Sequence, residues 1–130
     1  MDFLPLTRAD DLGWRALRDE IAPWIGERAV TLFSYAISDE YGSAVTTRYF
    51  RDILTAAGDD PDHPQVTETE QLIIDWGRLI VSNPRDIPQA FYARLEGAFT
   101  PGRRLALLSF AARVVAINLV NTVGRVPVDA

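Results

Sequence analysis

Apolar residues recur at three- and four-residue spacing along nearly the whole chain, and no segment alternates apolar with polar as a half-buried strand does. The pattern predicts an all-α protein. Residues 8–21 read as a first helix, with Thr7 as N-cap, Asp10 near the positive end of the helix dipole, and Leu12 and Leu17 on the inner side. Pro23 suits the first turn of a second helix reaching about Ile37, whose apolar set is Trp24, Ile25, Val30, Phe33 and Ile37. Ser38, Asp39 and Gly42 mark the break after it. A third helix is expected from about Ser43 to just before Gly58, a residue that takes up the left-handed conformation ending many helices at little cost.

The run Asp59-Asp60-Pro61-Asp62-His63-Pro64 can only be loop. Thr67-Glu68-Thr69-Glu70 then has the form of a capping box, opening a fourth helix that continues to about Val81 and stops at Asn83-Pro84. Asp86 is expected to cap a short fifth helix through Phe91 and Leu95 to Ala98. Thr100 and Pro101 have the form of an N-cap and first helical residue for a sixth helix reaching Val123, closed by Gly124 and Pro127. The expectation is a single domain over residues 1–130, a bundle of about six helices with no internal repeat.

Composition narrows the chemistry. With 48% apolar and 24% charged residues in 130, the chain can bury one ordinary core without metal or disulfide staples. Its formal net charge of -5 argues against nucleic acid and anionic membrane surfaces as partners. The first eight residues lack the basic and apolar regions of an export signal, so a cytoplasmic location is expected. Leu105 to Val123 approaches membrane-spanning length, but Ser109, Arg113, Asn118 and Asn121 interrupt it, and a buried helix is the better reading. There is no cysteine, which removes both disulfides and reactive thiols.

The segment Thr31-Leu32-Phe33-Ser34-Tyr35-Ala36-Ile37-Ser38, followed by Gly42-Ser43-Ala44-Val45-Thr46 and closing at Gly58, resembles the AhpD-like alkylhydroperoxidase and carboxymuconolactone decarboxylase family. Glu68 to Leu79, Pro84-Arg85-Asp86-Ile87-Pro88, Phe91, Leu95, Phe99 and the last helix with Asn118 and Asn121 before Val126-Pro127 are similar to that family's carboxy-terminal helices. The resemblance covers about residues 26–129 and leaves the first 25 outside. It implies an AhpD-like helical bundle assembling as a homo-oligomer, a trimer or a multiple of one, with sites between helices and near subunit contacts. The family's peroxidases carry a glutamate, a CxxC at the start of the next helix and a histidine one turn on. In this chain the corresponding positions hold Thr31, Ser43, Thr46 and Phe50, and a slip of one residue would put Tyr49 in the last place.

That exchange removes a mechanism. A thiolate attacks peroxide and condenses with its partner into a disulfide, and a hydroxyl does neither. Ser43 also lacks a base at Thr31 or Phe50 to accept its proton. The candidate catalytic residues that remain are Ser43, Thr46 and Tyr49, set against the simpler reading that the two hydroxyls cap a helix and the aromatics Tyr41, Tyr49 and Phe50 are core. Arg113, Asn118 and Asn121 share a broad sector of the sixth helix and could hold a carboxylate ligand, or could instead bond between helices or subunits. Arg48 and Arg51 read as surface residues that could approach the same cavity. His63 among Asp59, Asp60 and Asp62 reads as a solvated linker and not as a metal site, and Glu68 and Glu70 as first-turn acids.

No metal or cofactor is expected. Two functions remain open: a peroxidase-inactive protein binding a small organic molecule, with decarboxylase, lactone-opening or isomerase activity as its enzyme version, and a non-catalytic homo-oligomeric interaction module.

Overall fold

A computed structural model of the chain describes residues 13–128. Among these residues there are six α-helices and no strand: α1 (Trp14–Ile25), α2 (Glu27–Tyr41), α3 (Ala44–Ala56), α4 (Glu68–Ser82), α5 (Gln89–Ala98) and α6 (Pro101–Val123). The all-α class and the number of helices agree with the reading of the sequence. The expected N-cap Thr7, with Asp10 and Leu12, lies outside the described residues.

The first two helices divide differently from the expectation. Pro23 lies in the last turn of α1 and not in the first turn of α2, and the break falls at Gly26, with φ 98° and ψ 145°. An L side chain rarely adopts that conformation, so glycine and not proline sets the corner. Pro23 is exposed and stands two residues before the end of α1, where its missing amide leaves out one bond to the preceding turn. The Gly26 amide closes α1 on the carbonyl of Ala22 at 2.9 Å. α2 runs on past Ile37 to Tyr41.

The other signals act where they were expected. Ser43 caps α3, accepting from the amide of Thr46, and the α3 terminus turns through Gly58. Thr67 and Glu70 form the full capping box, and Thr100 caps α6 by accepting from the amide of Arg103. One cap differs: Asp86 lies before α5 without capping it, and Pro88 occupies the N-cap position.

α2 is the central helix, touching α1, α3, α4 and α6, and its segment from Leu32 to Ser38 is buried throughout. Only a helix apolar or small on nearly every side can be surrounded in this way. Phe33, fully buried, stacks on Trp76 of α4 at 6.1 Å and on Phe110 of α6 at 6.2 Å, and Phe110 in turn meets Trp14 of α1 at 6.3 Å. α4 can approach this aromatic line because position 77 is glycine: a Cβ there would stand 3.1 Å from both Phe33 and Ile37. Trp24 joins the end of α1 to the start of α6, meeting Phe99 edge-on under the guanidinium of Arg103 at 4.7 Å.

The sixth helix departs from the expectation of a buried helix. Its inner side, with Leu107, Phe110, Ala111, Val114, Ile117, Asn118 and Asn121, is core, but Leu105, Leu108, Leu119, Val120 and Val123 are exposed on the outside. It is the one helix among the described residues long and apolar enough to cross a membrane, and its inward face is committed to the bundle.

Ion pairs hold the long loop between α3 and α4. Arg51 makes two parallel bonds to the Asp62 carboxylate, both at 3.0 Å, and a third at 3.1 Å to the hydroxyl of Tyr35. Hydrogen bonding from Arg51 holds the Asp62 carboxyl below its ordinary range. A carboxyl depressed on folding stabilises above its unfolded pKa, and the contribution is lost as pH falls through the folded value. Asp62→Asn should therefore lower the urea midpoint at about pH 6, and the variant and parent curves should converge towards about pH 3. A difference that persists in acid would show that the pair does not act this way.

Candidate functional site

α1, α2 and α3 do not close fully on one another, and a cavity of about 630 Å³ lies between them, within the range of small-molecule sites. Trp14 of α1, Val30 of α2, and Phe50, Ile53 and Leu54 of α3 supply an apolar wall. Arg15, Arg18 and Arg28 line it together with two carboxylates, Glu27 and Asp59. Thr31, Ser34 and Tyr49 add hydroxyls.

Most of these polar groups are already held. Arg18 pairs with Glu27, and Thr31 and Ser34 donate to the carbonyls of Glu27 and Val30 one helical turn back. Arg28 is the most connected: it chelates the Asp59 carboxylate at 3.0 and 3.2 Å and also donates to Glu70 and to the carbonyl of Gln65. Hydrogen bonding to Asp59 first, and to Glu70 after it, raises the pKa of Arg28 against the opposing effect of burial. The cavity is therefore lined by fixed charges, and its carboxylates are bound to arginines instead of standing ready as bases.

A second polar assembly is closed. Asn121 of α6 donates to the Thr46 hydroxyl of α3 at 2.7 Å, Ser43 donates to the same oxygen at 3.0 Å, and Asn118 donates to Ser38 of α2 at 3.1 Å and to the Val114 carbonyl at 2.8 Å. Ser38, Ser43, Thr46, Asn118 and Asn121 are all buried. Such bonds, between residues 75 and 80 positions apart, fix how α6 sits against α2 and α3.

The residues singled out in the sequence thus fall into three places. Thr31, Tyr49 and Phe50 come together on the cavity. Ser43 and Thr46 do not join them: they are 3% and 0% exposed, spent on the cap and the bond to Asn121, with Ser43 behind a separate open groove beside Thr47 and Arg48. Arg113 does not converge with Asn118 and Asn121. It is exposed and lies near Gly13, while the two asparagines face inward. A broad sector on a helical wheel spans both sides of the boundary between core and solvent, which is why the three looked like one group.

Arg51 binds the α3–α4 loop and does not line the cavity, and His63 is exposed, 3.7 Å from Asp60. Sequence reasoning missed Trp14, Arg15, Arg18 and Arg28. The available signal was the three-residue spacing of Arg15 with Arg18 and of Arg28 with Thr31, which puts each pair on one helix face. What made it invisible was the corner at Gly26 that brings the two faces together. Comparison of the chain with models of known protein families, with characterised proteins and with solved structures yields no match, so the site is interpreted from its own geometry.

Proposed function

We propose that this chain binds a small organic carboxylate with an apolar body, in the cavity between α1, α2 and α3, and that it does so without thiol chemistry. The observation that carries the reading is one half-open cavity that pairs an indole and phenyl wall with three arginines. An apolar body gains by leaving water against Trp14, Phe50 and Ile53, and a carboxylate gains charge-assisted bonds from guanidinium groups that match its planar shape. This places the ligand elsewhere than Arg113, Asn118 and Asn121.

The family resemblance in the sequence remains compatible with this reading, because Thr31 and Phe50, which stand where peroxidases carry glutamate and histidine, both line the cavity. The absence of cysteine removes thiol peroxidase activity from this chain. Binding is favoured over catalysis because Glu27 and Asp59 are ion-paired and the hydroxyls of Thr31 and Ser34 already donate to backbone. A lactone-opening or decarboxylating enzyme would need a base that none of these groups supplies.

A thermal-shift and calorimetric screen of aromatic and branched aliphatic carboxylates, each paired with its neutral amide, tests the proposal. A carboxylate should raise the melting temperature by about 10 °C at a hundredfold excess over Kd, with its amide inactive. Ala57→Trp, at an exposed position on the cavity, should abolish the shift by filling the space. If no carboxylate binds at about 10 mM, or if binding survives Ala57→Trp, the proposal fails.

A further inference from the structure

The exposed side of α6 has a pattern of its own. Leu105, Leu108, Ala112, Ala116, Leu119 and Val123 fall within an arc of about 80° opposite the core face. Leu105 and Ala116, Leu108 and Leu119, and Ala112 and Val123 are each 11 residues apart, close to a whole number of turns, so the stripe runs straight along the helix instead of winding away. Leu105 is 65% exposed, Leu119 50% and Val123 73%. A helix apolar on its outer as well as its inner side is unusual for one facing only water.

The stripe is also symmetric. Large residues stand at both ends and alanines in the middle, and the arrangement reads the same in either direction about the level of Val114. We infer that this face of α6 is the contact surface for a second copy of the chain, the two α6 helices running antiparallel about a two-fold axis at that level. Leu105 then meets Val123 of the copy, Leu108 meets Leu119 and Val120, and Ala112 meets Ala116, where small side chains let the helices cross closely. A closed two-fold contact requires a patch that complements itself, and this one does.

Charge and area set the strength of the contact. α6 carries Arg103, Arg104 and Arg113 and no acidic residue. Arg113 lies about 100° round the helix from the stripe, so the two copies bring their Arg113 side chains to the same edge near the axis. They repel there, and salt relieves the repulsion. A helix of 23 residues is about 35 Å long, and packing along it buries on the order of 500 Å² per copy, the low end for a specific interface. The dimer is accordingly reversible. It differs from the trimer, or multiple of a trimer, that the resemblance in the sequence implies.

Sedimentation velocity of the purified chain should show a monomer passing to a dimer as concentration rises to about 300 µM, and the dimer should tighten between about 0.05 and 0.5 M salt. The cysteine-free chain allows a clean test of direction. Leu105→Cys mixed with Val123→Cys should give a disulfide-linked mixed dimer on mild oxidation, while Leu105→Cys alone should give little linked product. Leu119→Glu, exposed and therefore compatible with the fold, should leave only monomer while circular dichroism is unchanged. A monomer or a trimer at the highest concentration overturns the inference. So does self-linking of Leu105→Cys in preference to the mixed pair, or flotation with anionic vesicles in place of self-association.

Discussion

Truncation of Phe33 to alanine should cost about 3–5 kcal/mol of stability, the largest loss expected from any single truncation in this chain. Phe33 is fully buried on the central helix and stacks on Trp76 from one side and on Phe110 from another. Removing its ring takes away the transfer energy of a phenyl group and leaves a void between three helices. It also removes two aromatic contacts, each worth about 0.5–1.5 kcal/mol beyond area. Against a total stability of about 5–15 kcal/mol, the variant should unfold at a much lower urea midpoint, and Phe33→Leu should recover more than half of the loss. A loss below about 1 kcal/mol would show that the aromatic line is not what holds α2, α4 and α6 together.

The second large effect is expected at Arg28. This side chain binds Asp59, Glu70 and the carbonyl of Gln65, so it joins α2, the loop after α3 and the first turn of α4. Asp59 and Glu70 are largely buried, at 18% and 13% side-chain exposure, while Arg28 is 34% exposed. Breaking a fully buried pair costs about 3–5 kcal/mol, and partial solvation here reduces the expectation for Arg28→Met to about 1–3 kcal/mol. Arg28→Lys should recover less than half, because one ammonium cannot chelate Asp59 and reach Glu70 and Gln65 as a planar guanidinium does. Hydrogen exchange gives a local signature: amides in residues 57–67 should lose protection in the methionine variant before the rest of the chain. Uniform loss across all helices would mean that Arg28 stabilises the domain without specifically holding the loop. Because Arg28 and Asp59 both line the cavity, the variant should also weaken any carboxylate that the cavity takes.

The candidate site was only partly legible in the sequence, and the reason differs from residue to residue. Thr31, Tyr49 and Phe50 were singled out through the resemblance in the sequence, and they share the cavity because α2 and α3 pack side by side. Ser43 is the helix cap the sequence suggests, whereas the Thr46 hydroxyl caps no amide and instead accepts from Ser43 and from Asn121 of α6. Arg113 was grouped with Asn118 and Asn121 from one helical wheel, but a wheel does not say where the bundle's surface cuts it. The arginines of the cavity were not found at all, since Arg15 and Arg18 stand on α1 and Arg28 on α2.

Local signals by themselves determined the all-α class, the number of helices, the caps at Ser43, Thr67 and Thr100, and the impossibility of thiol chemistry in this chain. Each depends on contacts within one helical turn or on composition alone, so no distant residue could overrule it. Tertiary structure decided where the first two helices part, because competition between Pro23 and Gly26 turns on which backbone conformation the packed corner demands. It also decided which hydroxyls are buried, which arginines meet, and that α6 shows an apolar face outwards. Those outcomes join residues as far apart as Ser38 and Asn118. The chain's periodicity says that a helix has an inside, and only the arrangement of all six says how much of it is covered.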